Sequence, residues 1–244
     1  MGFLTRVSAT RTSEDDVPQG LAEALRRDGA DTGHMRRLLA FTLTTDANCI
    51  DVGAHRGSIL KEMLRVAPAG HHIAFEPLPN LAALLTDAFP EVEVRQAALS
   101  NHTGHTLFEH VHGVAEGCSG FLTCTAPAGY ANEVEEITVR LETLDGSLDP
   151  EYQPQLIKID VEGAELQVLQ GALGTLSRHQ PIVVFEHAFA ACHAYGTEPA
   201  DVYRLLREAA GLRIFDLDGS GPYELGQFEQ SSRAGERVNY IARV

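Results

Sequence analysis

Apolar residues along this chain fall into two alternating patterns. Short unbroken runs read as buried strands: Cys49-Ile50-Asp51-Val52 ending at Gly53, Ile73-Ala74-Phe75 ended by Glu76-Pro77, Leu156-Ile157-Lys158-Ile159, and Ile182-Val183-Val184-Phe185. Between them the spacing turns helical. Ile59, Leu60, Met63 and Leu64 mark one face, stopped by Pro68-Ala69-Gly70; Leu81, Leu84, Leu85 and Ala88 mark another, closed before Pro90. Val92 and Val94 lead a third strand into Ala97-Ala98-Leu99. Leu166, Leu169, Leu173 and Leu176 share one helical stripe, and Pro199 opens a helix carrying Val202, Leu205, Leu206 and Ala209, capped by Gly211. Strand and helix alternating over short connections predict an α/β fold, with a mostly parallel central sheet and helices on both faces. Leu212-Arg213-Ile214-Phe215 and Val238-Asn239-Tyr240-Ile241-Ala242 close it as a terminal antiparallel pair.

The flanks of this rhythm differ. Residues 1–17 are polar and patternless and read as a flexible tail. Residues 18–47 form an N-terminal helical cap with two short faces: Leu21, Ala24 and Leu25, then Met35, Leu38, Leu39 and Thr42 after a break at Asp28-Gly29-Ala30-Asp31. Residues 48–244 make a single domain. Within it, 104–145 interrupts the alternation. Leu107-Phe108 and Ile137-Thr138-Val139-Arg140-Leu141 look extended, and a Gly-rich stretch at 113–129 is either a surface excursion or a lid, with Phe121, Leu122 and Tyr130 available to pack on a ligand.

Composition narrows the function classes. The chain has 244 residues, 44% hydrophobic and 22% charged, which excludes global disorder. Nineteen Lys and Arg stand against 34 Asp and Glu, a formal charge of -15 that disfavours nucleic-acid and membrane-surface partners. No apolar run is long enough to span a bilayer and no secretion signal is visible, so a soluble, cytoplasmic protein is expected. The four cysteines form no C-x-x-C pair, and Cys49 reads as a buried thiol. His102, His105, His110 and His112 cluster in sequence, but no acid or thiol completes a metal site, and a polar hairpin face is the favoured reading. Oligomeric state is not legible.

Chemistry concentrates where an open α/β sheet binds ligands, at the carboxyl ends of its strands. The first strand delivers Asp51-Val52-Gly53-Ala54-His55-Arg56-Gly57, the second Glu76-Pro77, the third Gln96-Ala97-Ala98, the fourth Asp160-Val161-Glu162-Gly163 and the fifth Glu186-His187. Gly53 and Gly57 lie four apart with His55 between, so the G-x-G-x-x-G pyrophosphate cradle is missing, as is the P-loop. A nicotinamide oxidoreductase fails on that spacing. Glu76 stands where a carboxylate accepts hydrogen bonds from both ribose hydroxyls. A ribose acid without a phosphate cradle points to S-adenosylmethionine.

A longer set of residues is similar to the FkbM family of methyltransferases: Ile50-Asp51-Val52-Gly53-Ala54 with Gly57, Phe75-Glu76-Pro77, Ala98-Leu99-Ser100, Thr143-Leu144-Asp145, Ile157-Lys158-Ile159-Asp160-Val161-Glu162-Gly163-Ala164-Glu165, and Phe185-Glu186. The resemblance spans roughly 48–187, and the chain departs from it at His55, where the family more often shows Asn. It implies a Rossmann-like class I methyltransferase fold and O-methylation of a hydroxyl on a sugar, glycoside or natural product. Asp51 and Gly53 would face the methionine end of the cofactor, Glu76 the ribose, and Gln96, Ala97 and Ala98 the adenine edge. Ala54, His55, Gly57, Pro77 and Asp160 complete the expected cofactor-binding set.

Asp160, Glu162, Glu186 and His187 are the candidate catalytic residues, expected to converge near the transferable methyl group. Either Asp160 or His187 acts as general base beside an orienting acid, or Asp160, Glu186 and His187 hold a divalent ion that lowers the hydroxyl pKa. The metal-free base is favoured. A catalytically inactive binding module that keeps the fold is the rival from another class.

Overall fold

The computed structural model describes residues 19–111, 134–235 and 237–244; the expected tail and the 113–129 stretch, read as excursion or lid, lie outside them. The apolar runs pair as a seven-stranded sheet in the order β3-β2-β1-β7-β8-β10-β9. Its members are β1 (Cys49–Val52), β2 (Ile73–Phe75), β3 (Glu93–Arg95), β7 (Leu156–Ile159), β8 (Ile182–Glu186), β9 (Arg213–Asp216) and β10 (Asn239–Arg243). The first five are parallel neighbours, and β10 runs antiparallel to both β8 and β9. This is the expected Rossmann-like arrangement, a mostly parallel sheet with the antiparallel closure expected from the chain's last apolar runs.

Because successive strand residues face opposite ways, each run feeds two cores. Ile50, Val52, Ile157, Ile159, Val183 and Phe185 pack on one side with α5 (Glu165–Gly171), α6 (Leu173–His179), α8 (Pro199–Arg204) and α9 (Leu225–Ala234). Cys49, Ala74, Leu156, Val184 and Ile241 pack on the other with α1 (Gln19–Thr42), α2 (Ser58–Val66) and α3 (Pro79–Ala88). Cys49 and Cys192 are free, buried thiols.

Three elements depart from the sequence reading. The 92–99 stretch is not one strand: an Ala97 N–H bond to the Arg95 carbonyl at 3.0 Å turns the chain out of the main sheet. Ala98–Leu99 (β4) then pair parallel to β6 (Val134–Glu142), which pairs antiparallel with β5 (Gly104–Val111) in a separate three-stranded sheet. The leucine stripe at 166–176 is two helices. Asp145, from the short α4 (Leu144–Ser147), accepts the Gly174 and Thr175 N–H groups at 2.7 Å and so caps a new helix there. Conversely, α1 runs through the Asp-Gly-Ala-Asp stretch unbroken. Met35 and Leu39 anchor its latter half in the core, and Arg36 pairs with Glu62 of α2 at 3.1 Å, so tertiary contacts override weak local propensity.

Gly171 ends α5 where the helix meets the Ser100 carbonyl; a Cβ there would stand 2.0 Å from that oxygen. Gly171→Ala is expected to cost about 1–3 kcal/mol, the range for overpacking. Thermal denaturation should show a drop of several degrees, and an unchanged midpoint would mean that the contact relaxes freely.

Candidate active site

Strand parity selects which polar side chains meet. Asp51 on β1 and Lys158 on β7 are register partners, and Asp160 lies two residues beyond Lys158 on the same face. The Lys158 ammonium sits 3.3 Å from Asp51 Oδ1 and 3.3 Å from Asp160 Oδ2, and donates to the Gly53 carbonyl at 2.9 Å. Burial opposes the charge on Lys158, but Asp160 and Asp51 outweigh it and raise its pKa. Burial likewise raises the Asp51 carboxyl, with Lys158 opposing that shift. For Asp160, burial is overcome by the Lys158 ammonium and a hydrogen bond from Glu186, which hold it below the usual carboxylate range. Glu186 is pushed up by burial and by the negative charges of Asp160 and Glu162. Glu186 is therefore the protonated partner of the pair, donating to Asp160.

Two turns bring backbone close. Gly53, with φ 73°, leaves room for the Asp160 carbonyl, which a Cβ would approach to 1.9 Å. Gly57, with φ 76°, sits against Leu85 and Phe89, so its role is packing. His55 and Glu162 also adopt left-handed conformations, φ 49° and 57°. Non-glycine residues held there cost on the order of 1 kcal/mol or more and gather at functional sites. Glu165 anchors the second turn, accepting the Val161 and Gly163 N–H groups at 3.0 and 3.1 Å.

A cavity of about 230 Å³ opens over these turns. Asp51, Gly53, Ala54, His55, Glu76, Pro77, Ala97 and Asp160 line it, with Leu78, Leu81, Ala98 and Phe108 as an apolar wall. Glu76 is almost fully buried and accepts the His55 N–H at 2.8 Å and the Leu78 N–H at 3.0 Å, one on each oxygen. Each carboxylate oxygen keeps a further lone pair. Gln96 is exposed and, like Gly57, is not among the lining residues. A second cavity of about 290 Å³ shares Ser58, Ile59, Lys158, Asp160 and Glu162 with the first and extends to Asp31, Thr32 and Met35 of α1, Glu186 and Asn239.

His187 is placed elsewhere. It follows Glu186 directly, so its side chain takes the opposite face, fully buried and stacked on Phe228 at 5.5 Å. It lines neither cavity, and no described residue hydrogen-bonds its ring nitrogens. Burial lowers its pKa to about 4, so the ring is neutral at neutral pH. The expected convergence of four catalytic groups therefore reduces to Asp160, Glu162 and Glu186. These three also form the group of potential metal ligands among the described residues, with ligand atoms within 4.8 Å of one another.

A family profile, "Methyltransferase FkbM domain", matches residues 51–213. The chain belongs to the FkbM methyltransferase family. It is similar to "Hexuronic acid methyltransferase AglP" of Haloferax volcanii, 29% identical over 181 residues, covering 71% of this chain and 66% of that protein. Among solved structures it resembles an FkbM methyltransferase of Methylobacillus flagellatus (TM-score 0.48, 14% identity, 91% of this chain and 60% of the other). It also resembles a TehB-like S-adenosylmethionine-dependent methyltransferase of Corynebacterium glutamicum (TM-score 0.47, 14% identity, 92% and 95%). Among the described residues, no helix of this FkbM chain is long and apolar enough to cross a membrane.

Lys158 was absent from the site residues expected from sequence, although a signal existed: a cation inside an apolar parallel strand needs a buried counter-charge. Lys158→Met should strand Asp51 and Asp160 and destabilise the fold by about 3–5 kcal/mol in denaturant titration. Adding Asp51→Asn should recover part of that loss; strict additivity would disprove the coupling. Glu162 gives a pH signature. Burial, then the charges of Asp160 and Glu165, push its carboxyl up to about 7 from 4.5. Its ionisation is disfavoured in the folded state, so stability is lost as pH rises from 4.5 through 7. Glu162→Gln should gain thermal stability relative to wild type over that window and show no such gain below pH 4.5.

Proposed function

We propose that this FkbM-family chain is an S-adenosylmethionine-dependent methyltransferase that methylates a hydroxyl oxygen of a sugar-like small molecule. The observation that carries the reading is the adjoining pair of cavities with Glu162 and Asp160 lining both. The first suits a nucleoside bearing a cation. It offers a carboxylate with spare lone pairs at the end of β2, an apolar slot beside it and several acids, and the ammonium among its described lining residues is already engaged by Asp51 and Asp160. Nothing among its lining residues favours a pyrophosphate.

In this reading Glu76 accepts from the ribose hydroxyls, Ala97, Ala98, Leu78 and Phe108 flank the base, and Asp51 and Asp160 offset positive charge. When bound, S-adenosylmethionine supplies a methyl group already activated by its sulfonium. The chain's own work is to orient the acceptor hydroxyl and take its proton. In this reading Glu162 is the base: it lines both cavities and its carboxyl is raised, whereas Lys158 holds Asp160 acidic. Protonated Glu186 fixes the Asp160 carboxylate and offers the acceptor a polar wall. The curated relative, which acts on a hexuronic acid by its printed name, supports a sugar-type acceptor.

Glu76→Ala should weaken S-adenosylhomocysteine binding by about 10-fold or more in calorimetry, the range for losing hydrogen bonds to a charged group. Glu162→Gln should keep that binding and slow methyl transfer by about 10²-fold or more. Cofactor binding without turnover on any hydroxylated acceptor would favour a binding module instead. Activity is expected to survive dialysis against EDTA. Loss restored by Mg²⁺ would reassign Asp160, Glu162 and Glu186 as metal ligands.

A further inference from the structure

The second cavity has a chemical character that the proposed reaction does not require. Four carboxyl groups line it: Asp31 from α1, Asp160 and Glu162 after β7, and Glu186 at the end of β8. The cation among its described lining residues, Lys158, is 10% exposed at the side chain and already bridges Asp51 and Asp160 while donating to the Gly53 carbonyl. Among the described lining residues no ammonium or guanidinium is left to meet an anion. Asp31 is held in place across the chamber, accepting a bond from Asn239 Nδ2 at 2.8 Å, and Asn239 is the register partner of Glu186. The acidic wall is thus assembled from both cavity ends and pinned to the sheet.

We infer that the second cavity selects a hydroxyl acceptor carrying a basic amine, of the amino-sugar or amino-alcohol class, and rejects one carrying a carboxylate. The inference rests on the methyltransferase reading and names the substrate class for that site. An alkylammonium supplies up to three donors, which Asp31, Glu162 and Asp160 can accept with charge assistance. A uronate there meets the like charge of Asp31 and Asp160 in a partly desolvated chamber, with no free cation among the described lining residues. Asp31 is the discriminating residue, since it is the member of the set farthest along the sequence from the transfer site and belongs to a separate element.

The test compares methyl glycosides of glucosamine, glucose and glucuronic acid, titrated by NMR onto protein saturated with S-adenosylhomocysteine. The amine is expected to bind about 10-fold or more tightly than the neutral sugar, with the uronate weakest. Asp31→Asn keeps an acceptor for Asn239 and should shrink the amine-to-neutral ratio toward one, with an unchanged melting temperature. Equal binding of amine and neutral sugar, tighter binding of the uronate, binding of none of the three, or an Asp31→Asn ratio equal to wild type would each overturn the inference. Binding of S-adenosylhomocysteine is the separate readout of the parent reading. If it fails, methyl transfer is abandoned, and the same glycoside series on ligand-free protein still decides the selectivity.

Discussion

A lysine ammonium buried between two carboxylates holds the functional end of this protein together. Lys158 ties β7 to β1 through Asp51, reaches the turn after β1 through the Gly53 carbonyl, and sets the charge of Asp160 at its own strand's end. Two charges removed from water gain little net stability when paired, but either one left alone is costly. The trio therefore acts less as glue than as a constraint: the two strands must keep their register, or three ions lose their partners together. Asp160 is held acidic, and burial together with that neighbouring negative charge raises the Glu186 carboxyl.

Two of the left-handed residues outside glycine belong to the same arrangement. His55 and Glu162 each stand in the turn after one of the two strands that the lysine joins, and both side chains border the first cavity. Glu76 accepts the backbone N–H of one, and Glu165 clamps the residues on either side of the other. Buried carboxylates thus hold unfavourable backbone where a relaxed loop would drift away from the ligand space.

Much of this was legible from residue order because strand ends in parallel sheets announce themselves: an apolar run, then Asp51-Val52-Gly53, Glu76-Pro77 or Asp160-Val161-Glu162-Gly163. Proximity of strand ends is set by sheet order, which the motif implied. Side-chain direction is set by parity, which turns His187 onto Phe228 and away from Glu186, since neighbours on a strand face apart. Lys158 escaped notice for the opposite reason, its partner Asp51 lying 107 positions away by sequence number but directly alongside in register. The turn after Arg95 rests on a local Ala97-to-Arg95 bond, and the capping of α6 rests on bonds that Asp145 accepts from residues 29 and 30 positions on; apolar periodicity encodes neither.

The sheet order also dictates a schedule of assembly. β10 lies between β8 and β9, and Asn239 at its start reaches back 208 positions to Asp31. As the chain leaves the ribosome, β1, β2, β3, β7 and β8 can pair in turn, but β9 has no hydrogen-bonded neighbour in the sheet until β10 arrives. The acidic chamber acquires its Asn239 wall in that same event. A nascent chain carries the lysine pin and both strained turns well before it can enclose an acceptor, so the chamber closes only with the insertion of β10.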